Sequence, residues 1–187
     1  MIETVILALV FARVKGIKLM DILRRWEFYP VFICAFIYIF LQIGIFTGHY
    51  GLLIIANIYK VIYSAAIFYL IYKFKIYKPG FIGMAIMFAG LILNQIVIHA
   101  NGGKMPVYPT LSLKTGYTTI EKINTIDGLH IVGDSSTSLK YLSDIFDVGY
   151  CIMSIGDVLV RAFLFVVLYY SFKCVNKTGA AHATPAL

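Results

Sequence analysis

Apolar runs of about twenty residues, separated by short charged stretches, constrain this chain more than any other feature. A helix rises 1.5 Å per residue, so twenty such residues cross a hydrocarbon core of about 30 Å. Three runs meet that length plainly: Phe28 to Phe46, Leu52 to Tyr72 and Phe81 to Ala100. A fourth extends from about Val148 to Phe172 and is closed by Lys173 and Lys177. Composition agrees, since 60% of the 187 residues are hydrophobic and only 13% are charged, about half the charge of a soluble domain. The expectation is an all-α, polytopic transmembrane helical bundle of four to five spans.

The uncertain fifth span is the first segment, residues 2–15. Its basic flank follows the apolar run, the reverse of a secretory signal, so it is expected to be retained. At about 14 residues it is short for a full crossing and would tilt or thin the bilayer. Residues 17–27 mix apolar and charged positions at helical spacing and include Trp26, as an interfacial helix or connector would. The link Thr47 to Gly51 is tight, Pro79 and Gly80 punctuate the next connection, and Ala85 with Ala89 forms a small-xxx-small pair suited to close helix approach.

One domain is expected over 1–177, with a long external loop at 101–147 and a disordered tail at 178–187. The loop collects Pro106, Pro109, many hydroxyl residues and most of the acids. Within it, GDSSTSLKYLSDIF reads as an N-capped amphipathic helix presenting Leu139, Leu142, Ile145 and Phe146 on one face.

The net charge of +7 does not imply a nucleic-acid partner, because the basic residues flank apolar runs instead of forming one solvated patch. Arg13, Lys15, Lys18, Arg24, Arg25, Lys73, Lys75, Lys78, Lys173 and Lys177 fall on one side of the membrane if the first segment spans. Lys104, Lys114, Lys122 and Lys140 fall on the other. The positive-inside bias then predicts a multi-pass plasma-membrane protein with the long loop outside and the C-terminus in the cytoplasm. Cys34, Cys151 and Cys174 have no CxxC spacing and predict free thiols.

Lys60, Asp157 and Arg161 are ionisable residues inside apolar runs, where an unpaired charge costs several kcal/mol, so they are candidate functional groups. Asp157 and Arg161 stand at i and i+4 and share a helix face. Asn57, Asn94, Gln95 and Ser154 fall in the same outer layer, and Asn101 follows at the helix end. These residues would line an outward-facing polar pocket for a small solute, a lipid headgroup or a membrane-peptide segment. The competing structural role is interhelical hydrogen bonding. His49, His99 and His130 lack paired ligand spacing, so no metal site and no cofactor are expected. The glycines of ANGGKMP suit a helix-ending turn better than a phosphate cradle.

ANGGKMPV at 100–107, IVGD at 131–134 and SIGDVLV at 154–160 together resemble a family of small bacterial integral membrane proteins classed as a domain of unknown function. That resemblance covers most of the chain and implies a fold without an activity. The loop between the first two motifs is longer and richer in hydroxyls than the family pattern. MSIGD, ending at Asp157, is also similar in mechanism and placement to the last-helix aspartate motif of lipoprotein signal peptidases. That similarity implies an intramembrane aspartyl hydrolase with Asp134 and Asp157 as its catalytic pair, although the Gly-Asn-x-x-Asp-Arg run of those enzymes is missing. A third reading is an accessory or scaffold subunit of a membrane complex.

Overall fold

The computed structural model describes residues 1–49, 52–125 and 128–182, without the side chains of residues 53, 54, 56–58, 60 and 177–182. Its helices are α1 (Ile2–Val14), α2 (Leu19–Leu23), α3 (Tyr29–Phe46), α4 (Leu52–Lys73), α5 (Tyr77–Ala100), the short α6 (Leu111–Lys114) and α7 (Ile120–Thr125), and α8 (Ile155–His182). Strands β1 (Met105–Val107) and β2 (His130–Val132) pair in parallel, with Met105 opposite His130. Strands β3 (Phe146–Asp147) and β4 (Ile152–Met153) pair antiparallel, with Phe146 opposite Met153.

Among the described residues, three helical stretches are long and apolar enough to cross a membrane: Trp26–Phe46, Tyr77–Ala100 and Ile155–Asn176. Many of their large apolar side chains point outward. Phe36 is 76% exposed and Phe81 72%, an arrangement that water would disfavour and lipid would not.

The chain divides into two compact units. The first comprises Met1–Leu41, Leu53–Met84 and Arg161–Leu187. Its core is aromatic: Phe28 is fully buried, stacks on Phe74 at 5.3 Å and meets Phe172 edge-on at 5.0 Å between centroids. Such pairs contribute about 0.5–1.5 kcal/mol each beyond their buried area. Helix α1 packs on α8 through Phe11, which meets Phe165 and Tyr169 edge-on, while the small residues Ala8 and Ala12 are wholly buried. In α2, Ile22 is buried whereas Met20, Leu23 and the following Trp26 are exposed, and Lys73 lies over the Trp26 ring at 5.3 Å.

The second unit comprises Gln42–Leu52 and Ala85–Val160. Close approach of α5 to α8 here depends on Gly90, where an added Cβ would sit 2.5 Å from the Gly156 carbonyl oxygen. Within the first unit Gly83 has the same role, because a Cβ there would sit 2.8 Å from the Phe163 ring. Seven residues separate these glycines, two helical turns on one face. The expected small pair Ala85 and Ala89 is exposed instead, because it lies on another face of the same helix. Pro79 and Gly80 belong to the first turns of α5 rather than to a connection, which the missing proline N–H permits. Helix α5 ends as its glycines predict. Gly102 and Gly103 have φ of 66° and 84°, and the Gly103 N–H donates back to Ile98 O at 2.9 Å, a left-handed helix-ending turn.

Two expectations for the 101–147 region are corrected. First, the chain is not purely α-helical, because four short strands form two small sheets. Second, 134–146 is not an amphipathic helix. Only Lys140–Leu142 makes a 3-10 turn, and Leu139 before it is left-handed at φ 55°. The Asp134 side chain is used in its own tight turn with Ser136 and Thr137. From Asp144 the backbone is extended, since its N–H donates to Pro106 O at 3.0 Å and its carbonyl accepts the Tyr108 N–H at 2.9 Å. Pairing with β1 therefore outweighs the apolar spacing. The last long helix likewise starts at Ile155, not near Val148, because Ile152 and Met153 are consumed by β4.

Candidate functional site

Asp157, Asn94 and Ser154 come together where α8 begins. Ser154 immediately precedes the helix and Asp157 is its third residue, which makes a capping box. The Ser154 hydroxyl accepts the Asp157 N–H at 3.0 Å, and Asp157 Oδ2 accepts the Ser154 N–H at 3.1 Å. Asn94 of α5 closes the ring: its Nδ2 donates to Asp157 Oδ1 at 3.1 Å and its Oδ1 accepts the Ser154 hydroxyl at 2.7 Å. Ser154 is wholly buried. The Ser-x-x-Asp spacing ahead of an apolar run was the available sequence signal for this cap, and a reading focused on intramembrane charge passes over it.

Arg161 reaches the start of the chain. In the first unit its guanidinium donates to Glu3 Oε2 at 3.2 Å, and the same carboxylate takes the Met1 amino group. Asn57 and Lys60 lie on α4, but their side chains fall outside the described residues. Gln95 is exposed, one turn from His99, on an open apolar groove along α5 lined by Phe88, Leu91, Ile92 and Ile96. Asn101 fastens the polar segment: its Nδ2 donates to Val97 O at 2.8 Å and Ser138 O at 3.0 Å, and its Oδ1 accepts the Ser138 N–H at 2.9 Å.

Asp134 is exposed, and its Oδ1 accepts the Ser136 N–H at 2.8 Å and the Ser136 hydroxyl at 2.6 Å. The Ser136 hydroxyl and N–H hold its pKa below the usual carboxylate value. Asp134 is thus engaged within its own turn.

The acid that sequence reasoning missed is Asp144. It is only 5% exposed, and its Oδ1 is buried without a hydrogen-bond partner. Its Oδ2 lies 3.6 Å from His130 Nε2. Antiparallel pairing of Phe146 with Met153 brings the chain just before β3 alongside the chain just after β4, so Asp144 and the start of α8 are neighbours. Burial, and next the charge of Asp157, push the Asp144 pKa up to about 8. Nothing in the sequence distinguishes Asp144 from Asp147, because its burial follows from backbone pairing to β1.

Asp147 has the opposite surroundings. Its Oδ2 accepts the N–H groups of Thr110 at 2.6 Å and Ser112 at 2.9 Å and the Ser112 hydroxyl at 2.7 Å. Its Oδ1 accepts the Gly149 N–H at 2.9 Å. Burial alone would raise its pKa, but these donors bring it down to about 2.

Among the described residues no three His, Cys, Asp or Glu side chains converge as metal ligands. No curated protein and no solved structure matches the chain. A family model described as a family of unknown function, DUF5317, matches residues 19–169, and the chain belongs to that family.

Proposed function

We propose that the protein is a multi-pass cell-membrane protein whose polar site, centred on Asp144 and Asp157, binds a small solute, a lipid headgroup or a peptide segment. Helices α3, α4, α5 and α8 serve as four spans in this reading, with α1 as a shorter fifth. The segment from 101 to 154 faces outward, and the C-terminus is cytoplasmic. The carrying observation is the Oδ1 of Asp144, buried and without a hydrogen-bond partner. An unsatisfied buried acceptor is costly to maintain, and such groups concentrate at sites where a ligand supplies the missing partner. Asn94 and Ser154 hold Asp157 in place and line the site.

Native mass spectrometry of the full-length protein, released gently from nanodiscs, tests this reading. A retained molecule should be present in the wild type and depleted in Asp144→Asn and Asp157→Asn. Equal retention in all three proteins would defeat the binding site.

A second reading is favoured by the influence of the Asp157 charge on Asp144. As a hydrolase pair, Asp157 would take a proton from water as the water oxygen adds to a carbonyl carbon. Asp144 would give its proton to the carbonyl oxygen, the division of roles expected of two unlike acids. In this form Asp144 replaces Asp134 as the partner of Asp157. Hydrolysis of a membrane peptide or ester substrate, abolished by Asp144→Asn with the fold intact, would establish it.

A further inference from the structure

The site proposed above has a charge and an acceptor arrangement that narrow its ligand, and the following inference rests on that binding reading. Asp144 and Asp157 belong to the second unit, close enough for the charge of one to act on the other, and Asp144 carries an acceptor oxygen that is buried and without a hydrogen bond. A third titratable group, His130, lies 3.6 Å from the other oxygen of the same acid. An anionic ligand would meet repulsion from Asp157, and from Asp144 once it is ionised. A metal ion requires several ligands converging at about 2.0–2.6 Å, and the described residues offer no such group of three. A primary ammonium differs in geometry, because its three N–H donors radiate from a compact charge and satisfy acceptors that are set apart. It would give the Asp144 oxygen its missing donor and offset the two like charges at once.

We propose that Asp144 and Asp157 together bind a primary ammonium group, with Asp144 Oδ1 as the principal acceptor and Asp157 as the second anion. A quaternary ammonium carries the same charge but no N–H donor, so it leaves Asp144 Oδ1 unsatisfied. Both the free amine and the headgroup of an aminophospholipid present this chemistry.

Isothermal calorimetry on the full-length protein in nanodiscs, with ethanolamine and choline as probes, tests the inference. In phosphatidylcholine nanodiscs at pH 8 ethanolamine should bind at least about tenfold more tightly than choline, the margin expected for a lost charge-assisted hydrogen bond. Asp144 lies near His130 and Asp157 and is pushed up to about 8, so it must release a proton to pair with the cation. Ethanolamine affinity should therefore fall about tenfold per pH unit below that value. Asp144→Asn should abolish the preference.

Nanodiscs containing phosphatidylethanolamine distinguish the sources. Suppression of free ethanolamine binding identifies a lipid headgroup, and unchanged binding identifies a soluble amine. Equal binding of ethanolamine and choline, or binding that is insensitive to pH between 6 and 8, would overturn the ammonium assignment. Those two measurements use only the wild type, so they decide the matter even if Asp144→Asn fails to fold. If a retained molecule is lost from Asp144→Asn while ethanolamine shows no preference over choline, the binding site stands and the ammonium class fails. If neither effect is seen, both readings fail.

Discussion

The stretch around Asp147 and the stretch around Asp144 are three residues apart, yet they treat a carboxylate in opposite ways. Asp147 organises its surroundings: Thr110, Ser112 and Gly149 all direct donors at it, tying the start of α6 to the β3–β4 turn. Asp144 is buried by its backbone, which is committed to β1 on both its N–H and its carbonyl, while its side chain keeps one oxygen unsatisfied. The two acids divide by the donors within reach. Asp147, the last residue of β3, faces free N–H groups at the start of α6 and in the β3–β4 turn, whereas Asp144 Oδ1 meets none.

The largest expected effect comes from removing the organised acid. Asp147→Ala leaves several donors around α6 unpaired and should destabilise the protein by about 2–3 kcal/mol, seen as a lower midpoint of thermal unfolding in detergent. An unchanged midpoint would show that water replaces the carboxylate without loss, and the contrast with Asp144 would collapse.

Next come the pH dependences, which should run in opposite directions. The Asp144 pKa is raised in the folded state to about 8, against about 3.9 unfolded. The folded state therefore holds more protons between those values, and stability contributed by this group falls as pH rises from about 4 to 8. Asp144→Asn should remove that slope and leave the variant more stable than the wild type above pH 8. The Asp147 pKa is lowered to about 2, so its contribution is complete above about pH 4 and disappears as pH falls toward 2. Unfolding midpoints of the wild type and both single variants, measured from pH 2 to 9, separate the two windows.

Ser154→Ala should cost about 1 kcal/mol through loss of the α8 cap, read as faster amide exchange in residues 155–158. Smallest of all is Asp134→Asn. Its carboxylate is exposed in its own turn, and the unfolding midpoint should not move measurably. A marked drop would place Asp134 in the same class as Asp147.

These contrasts mark what the sequence could convey. Helices α3 and α5 were legible within a few residues because an apolar run of membrane length has few alternatives. The glycines at 102 and 103 announced the turn that ends α5. Less legible was anything that depended on partners distant in sequence. Residues 134–146 carry helical spacing, but the segment is extended where Asp144 pairs with β1, and no local pattern encodes that partner. The bond from the Arg161 guanidinium to Glu3 spans 158 residues, and no local spacing encodes such a partner. Asn94 and Ser154 were placed in the right layer by depth alone, but their shared ring needed α5 and α8 to approach at Gly90 and Gly156.

That ring has a further consequence. Three of its four bonds run in one sense: Ser154 gives to Asn94, Asn94 gives to Asp157, and the Asp157 backbone gives to Ser154, while the Ser154 N–H gives back to the Asp157 carboxylate. A single amide therefore acts as a clasp with a fixed polarity, since turning Asn94 over would set its carbonyl oxygen against the Asp157 carboxylate. Fraying of the first turn of α8 and loosening of its grip on α5 become one event, so the helix cannot begin to unwind while its neighbour stays fastened.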